Sequence, residues 1–302
     1  MHPSSVSLPA GASRDFLDAA MAPMAERLGA QIRKDAELDR LLLPSVPATV
    51  IAVREVLQDP DSDTAAVCRT MSRDPALAAR VLRVANSPAF AGLSASNSLQ
   101  SAVVRLGNSV LDNVMLVFTI SRIFSVGRRA RIQPHLSRLW RHSAQVAALS
   151  AVLVEWAPHL QRDVALLAGL IHDIGSVPVI VKAQQFPTLL DNAALLDHLQ
   201  QKLHSELGTL VLESWNGPAE LVQVVLEHEN IDRDGPAAAD YTDLVLVANL
   251  LSRLEALDSE AAGPIWELPA SRKLGVDATT VPELVARAAE YEAELNGSLG
   301  NA

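Results

Sequence analysis

The chain has 302 residues, 49% hydrophobic and 20% charged, which allows a sizeable core and argues against wholesale disorder. A net charge of −10 and a pI near 5.3 argue against a general nucleic-acid or anionic-membrane binder. Aromatics make up only 4%, so Leu, Val and Ala must build the core, and one cysteine, Cys68, excludes an intrachain disulfide and suits a reducing compartment.

Residues 1–13 read as a loose tail. Residues 15–43 carry a helical pattern, with Phe16, Ala20, Met24 and Leu28 on one face. The prolines of Leu43-Pro44-Ser45-Val46-Pro47 force an extended segment. Ala48 to Leu57 reads as a helix closed by Asp59-Pro60-Asp61. Ser62 or Asp63 caps the next one, through Val67 and Met71, and Cys68 falls within it as a small core residue. Asp74-Pro75 marks a sharp helix start, and that helix runs through Leu77, Val81 and Val84 to Asn86-Ser87-Pro88. Arg69, Arg73, Arg80 and Arg83 recur at helix-compatible intervals and read as a solvated face. A small-residue loop over 89–97 leads to a helix over 99–106, stopped by Gly107, and to an apolar helix over 110–124.

Gly127 to Pro134, with three arginines, reads as a solvated boundary between two lobes. Leu136 to Trp156 follows as a long helix bearing Trp140 and His142, and Trp140, Trp156 and Trp215 read as packing residues. Asp163 is placed to cap the helix that delivers His172-Asp173, and Gly175 and Pro178 to end it. Helices over 195–215, 221–228, 241–254 and 281–295 complete the chain, with turns at Asn216-Gly217-Pro218 and over 232–239. No β-alternation or fixed-period repeat appears, so the fold class reads as all-α. No basic-apolar-small leader opens the chain. His172-Asp173 breaks the longest apolar run, so the expected location is cytoplasmic.

Four histidines, His142, His172, His204 and His228, fall at or near helix ends of the second lobe, 30, 32 and 24 residues apart. Helices so spaced can converge on a shared polar or metal site inside a bundle. His172 and Asp173 are both metal-ligand types, but as neighbours they serve one ion only near a helix end.

Ile171-His172-Asp173-Ile174-Gly175 resembles the signature of the HD superfamily of metal-dependent phosphohydrolases. Ser72-Arg73-Asp74-Pro75-Ala76-Leu77, Arg83-Val84-Ala85-Asn86-Ser87, Ala102-Val103-Val104-Arg105-Leu106-Gly107 and Trp140-Arg141-His142-Ser143 resemble the HDOD family, the HD-related output domains of bacterial signalling proteins. The likeness runs from about Leu43 to Leu254. It implies an HD-domain-like helical bundle over 135–255, with an additional N-terminal helical lobe over 36–126. An N-terminal tail and helical extension over 1–35 and a C-terminal helical extension over 256–302 flank them.

By the same resemblance His142 is the first HD-type histidine, and His172 and Asp173 are the central pair. His204 and His228 match the extra histidines of the HD-GYP phosphodiesterases. These five are candidate ligands for a divalent metal (Fe, Mn, Mg or Zn). Two positions depart from the catalytic pattern. Asn249 stands where the terminal aspartate is expected, and Ser176 where HD-GYP enzymes often carry a lysine. A neutral amide does not balance a cation's charge or help lower the pKa of its bound water. Asp240 and Asp243 are the nearest carboxylates that could substitute. The implied function is a non-catalytic regulatory module of bacterial signal transduction that binds a protein partner or a small, nucleotide-like signalling ligand. It implies neither membrane nor direct nucleic-acid contact. The alternative is a metal-dependent phosphohydrolase acting on nucleotides or cyclic dinucleotides.

Overall fold

The computed structural model describes residues 23, 26–31, 33–35, 46–86, 95–125, 131–233, 235–253 and 265–299. Among them there is no strand, as the all-α reading expects. Of the first helical pattern, residues 26–31 and 33–35 are helical and Leu28 is buried, whereas Phe16, Ala20 and Met24 lie outside the described residues. The loop over 87–94 and Arg128 to Ala130 lie outside them too. The chain divides into two compact units: Met1–Leu43, Gly127–Arg141 and His172–Glu227 form one, and Pro44–Val126, His142–Ile171 and His228–Ala302 form the other.

The second of these begins with α1 (Ala48–Gln58), α2 (Thr64–Met71), α3 (Pro75–Ala85) and α4 (Leu99–Ser125). Their starts follow local chemistry. Of the two candidate caps for α2, Asp63 acts, accepting from Ala66 N at 2.7 Å. Asp74 accepts from Ala76 N at 3.0 Å and Leu77 N at 3.2 Å, and Pro75 takes the first helical position, where no N–H is needed. Val50, Val53, Met71, Leu77, Val81, Leu111 and Met115 meet in one apolar core. Gly107 adopts φ 71° and ψ 171°, a conformation only glycine tolerates, and breaks α4 where the sequence places a stop. Asn86 closes α3 and clasps the far end of the following loop: Nδ2 donates to Ser96 O at 3.0 Å, and Ser96 N donates to Oδ1 at 2.7 Å.

Arg69, Arg73 and Arg83 are exposed, but Arg80 is buried, so the arginines do not form one solvated face. Arg80 sits three residues after Leu77 and beside Val81, inside the apolar stripe of α3. Burial, with Arg83 adding repulsion, pulls its pKa down to about 10.

The same unit holds residues 142–153 of α5 (Gln133–Leu153), α6 (Arg162–Ile171), α11 (Tyr241–Ser252), α12 (Pro269–Leu274) and α13 (Val281–Leu299). A 3₁₀ turn, Val154–Trp156, ends α5. The helix α12 has no counterpart in the sequence reading. α6 packs against α4 and α11. Asp163 lies within the first turn of α6, not at its cap, and accepts from Asn113 Nδ2 at 2.7 Å. There its charge still favours the helix N-terminus.

The first unit holds the start of α5, then α7 (Ser176–Ala183), α8 (Pro187–Leu190), α9 (Ala193–Ser214) and α10 (Ala219–Glu227). Asn192 caps α9 through Leu195 N at 3.1 Å. Trp215 ends α9 and is buried, as a packing residue should be, whereas Trp140 and Trp156 are only half-buried. Asn216 takes φ 49° in the turn that follows. α7 and α10 both pack on α9.

Among the described residues, two stretches, Leu99–Ile120 and Arg162–Ala183, reach the length and apolarity of a membrane-crossing helix, but both are mostly buried within the protein and neither is a clear span. The second contains the turn His172 to Gly175, and most of its apolar surface is buried within the protein.

Candidate metal centre

α6 stops at Ile171, one residue before the histidine. His172 to Gly175 form a turn, and α7 starts at Ser176. Gly175 therefore occupies the N-cap position of the next helix, and Pro178 lies in that helix's first turn. Neither ends the helix before the pair, as the sequence reading has it. The turn supplies what a neighbouring His-Asp pair needs, because successive turn residues can aim at a common point where successive helical residues cannot.

Gly175 has φ −68°, so backbone freedom does not explain it. Close approach does. A Cβ there would stand 1.9 Å from His204 O and 2.4 Å from Gly208 N, both backbone atoms of α9. The bare backbone lets the turn press against α9 next to the Asp173 carboxylate. His172 Nε2 lies 3.4 Å from Asp173 Oδ2, and His204 Nε2 lies 3.7 Å from Oδ1. His172 and His204 are buried and Asp173 is half-buried. Ser176 is buried as well, and its N–H donates to Asp173 O at 2.9 Å.

The hydrogen bonds of His204 set its tautomer. Nδ1 lies 2.9 Å from Gln200 O, a carbonyl that can only accept, so Nδ1 carries a proton. In the neutral ring Nε2 then holds a lone pair on the side of Asp173. A carbonyl fixing the far nitrogen is the usual support behind a metal-binding imidazole. Asp173 is the common member of the candidate His/Asp metal-binding groups.

His142, His228 and Asn249 belong to the other unit. His142 is in mid-helix on α5 rather than near an end, as His204 is on α9, while His228 lies in the turn after α10 and is buried. Ser252 Oγ donates to Asn249 O at 2.8 Å, and lies 3.5 Å from His142 Nδ1. At that separation the hydroxyl does not fix the tautomer of the His142 ring. Asn249 is 2% exposed, and its Oδ1 accepts no hydrogen bond among the described residues. A buried acceptor left so costs about 1–3 kcal/mol unless something beyond the described residues satisfies it.

Asp240 and Asp243 do not stand in for Asn249. They form a capping box at the start of α11, two turns away, where Asp243 N donates to Asp240 Oδ1 at 2.9 Å. Arg233 Nη1 donates to Asp240 at 2.8 Å and Asp243 at 2.5 Å, and Lys273 Nζ to Asp243 at 3.2 Å. Burial opposes the charge of Arg233, but the hydrogen bonds and charges of both aspartates outweigh it and hold its pKa above the ordinary arginine value. This network was invisible in the sequence except for the Asp-x-x-Asp spacing before an apolar run. The tautomer-setting partner Gln200 and the Ser252 hydroxyl were also missed. Only Gln200, four residues before His204 on one helix, left a signal in spacing.

The donor set fits a divalent cation. Within one unit, His172, Asp173 and His204 combine imidazole lone pairs with a carboxylate, and imidazoles favour Zn, Fe or Mn over Mg.

Comparison with known proteins agrees with this architecture. A Shewanella amazonensis SB2B protein, provisionally named a metal-dependent phosphohydrolase, superimposes with a TM-score of 0.72 at 26% identity, over 89% of this chain and 98% of that one. An HDOD domain protein of unknown function from Geobacter sulfurreducens gives 0.66 at 24% identity, over 92% and 99%. A signal transduction protein of Marinobacter aquaeolei VT8, also provisionally named, gives 0.58 at 18% identity, over 94% and 66%. An uncharacterized protein of Treponema pallidum is 23% identical over 76% of this chain, and the chain spans 45% of that protein's length. The model of the HDOD domain matches residues 43–231, more than half of the chain. The chain belongs to the HDOD domain family.

Proposed function

We propose that this protein is a non-catalytic regulatory module of bacterial signal transduction. Its His/Asp centre serves recognition, of a protein partner or a small nucleotide-like ligand, rather than hydrolysis. The observation that carries the reading is Asn249: a buried, neutral amide at the position where the resemblance expects the terminal carboxylate. A metal site that activates water needs its charge balanced and its water's pKa lowered, and an amide does neither as a carboxylate does. Ser176, buried and uncharged, supplies no cation for developing phosphoryl charge. The signal-transduction and HDOD neighbours support the reading, and so does their bacterial origin. The lone Cys68 supports a cytoplasmic setting.

His172, Asp173 and His204, all of one unit, would hold the cation, which when bound supplies Lewis acidity and a fixed positive charge. The chain's own residues orient the donors: Gln200 fixes the tautomer of His204, and Gly175 allows the Asp173 turn to reach α9.

The alternative, a metal-dependent phosphohydrolase, is favoured by one observation, the retained His172–Asp173–His204 geometry. The named Shewanella neighbour gives it further support. Assays with cyclic dinucleotides and a chromogenic phosphodiester, each with Mn²⁺, Fe²⁺ or Mg²⁺, separate the two. The module gives no turnover above a His172→Ala, Asp173→Ala control, and turnover lost in that control establishes the enzyme.

A further inference from the structure

Ser205 follows His204 on α9, half-buried, with its Oγ 3.2 Å from His204 Nε2. This is the nitrogen left without a proton by the Gln200 carbonyl. A hydroxyl facing an imidazole lone pair donates to it. The same lone pair lies on the side of Asp173, whose Oδ1 is 3.7 Å away. The hydroxyl and a cation therefore want the same electron pair.

We propose that Ser205 is a competing cap on the metal-binding nitrogen of His204, and so a positioning residue that sets how tightly the centre takes a cation. The proposal rests on the reading of His172, Asp173 and His204 as cation ligands. In the cation-free centre the Ser205 hydroxyl satisfies Nε2 and holds the ring in its binding orientation. A cation reaches Nε2 only when the hydroxyl rotates away, a motion that breaks no helical bond. Thr209 Oγ1 donates to the backbone carbonyl of Ser205, not to its hydroxyl, so that bond does not lock the rotor. The centre is thereby tuned toward reversible occupancy, as suits sensing.

The test uses the full chain at pH 8, with wild type, Ser205→Ala, Ser205→Thr and His172→Ala compared. Zn²⁺ affinity is read by competition with a fluorescent chelator, and the His204 ring by ¹⁵N NMR. Removing the cap tightens Zn²⁺ binding about tenfold in Ser205→Ala, equivalent to about 1.4 kcal/mol. Ser205→Thr, which keeps the hydroxyl, stays near wild type. In the NMR, Nδ1 carries the proton in wild type, and the Nε2 resonance moves toward that of an unbonded lone pair in Ser205→Ala. Weaker Zn²⁺ binding in Ser205→Ala makes Ser205 a ligand and overturns the proposal, as does a proton on Nε2 in wild type. Equal Zn²⁺ binding by wild type and His172→Ala would defeat the cation reading instead, and the NMR arm would still decide the role of Ser205.

Discussion

Asn249→Asp puts the missing charge back. Asn249 is 2% exposed, with an amide oxygen that accepts nothing among the described residues, so the new carboxylate would be buried without a hydrogen-bond donor. An uncompensated buried charge costs about 3–5 kcal/mol. At roughly 2–4 °C per kcal/mol, the low end of that cost lowers the melting temperature by roughly 6–12 °C in chelator at pH 8. If the resemblance places position 249 correctly, as a ligand position, a bound divalent cation reverses the sign of the effect, because the carboxylate then faces a positive charge. At a cation concentration about 100 times its Kd, mass action alone returns about 2.7 kcal/mol. Differential scanning fluorimetry with EDTA, then with excess Mn²⁺ or Zn²⁺, reads both halves. The expected result is a variant less stable than wild type without metal and more metal-responsive with it. A variant that melts within about 1 °C of wild type in chelator and gains nothing from either cation would refute the reasoning, because position 249 would then lie away from any cation.

Other expectations follow from single contacts. Gly175→Ala drives a Cβ to 1.9 Å from His204 O, and overpacking of this kind costs about 1–3 kcal/mol or more. Urea denaturation should show that loss, with Zn²⁺ affinity falling alongside it, and an unchanged midpoint would contradict the contact. Asp74→Ala removes the α3 cap and should cost about 0.5–2 kcal/mol in the same assay, with Asp74→Asn close to wild type. Asp240 gives a pH signature. Burial opposes its charge, but the Arg233 hydrogen bond, the Asp243 N–H and the charges of Arg233 and Lys273 outweigh it and hold its carboxyl below the usual range. With the folded pKa depressed, its contribution is complete above the unfolded value of about 3.9 and is lost as pH falls through the lower folded value. Asp240→Asn should therefore flatten the acid limb of a stability-against-pH curve and change its slope little above pH 5.

Much of the fold was legible because helix punctuation is local chemistry. Asp74-Pro75, Gly107 and Asn216-Gly217-Pro218 each mark an end that the structure keeps. Asp163 was misread because a carboxylate in the first turn and one at the cap look alike in sequence, and Asn113, fifty residues away, holds it inside. Arg80 was misread because an arginine spacing cannot tell which side of a helix meets a core supplied by other helices. The His172-Asp173 pair stood out as adjacent ligand types, and the turn brings their polar atoms to 3.4 Å of each other. Gly175 looked like a terminator, yet its role is steric and set by α9, which no local pattern reveals. The division into two units, each returning to the chain several times, depends on contacts distant in sequence and not on composition shifts.

The central claim is a centre that recognises without hydrolysing. Its most direct test is turnover of a cyclic dinucleotide by protein whose cation occupancy is established in the same sample by a chelator-sensitive melting temperature. The account predicts a cation-dependent melting shift with no turnover above that of His172→Ala, Asp173→Ala. Cation-dependent turnover that vanishes in that double variant would contradict it.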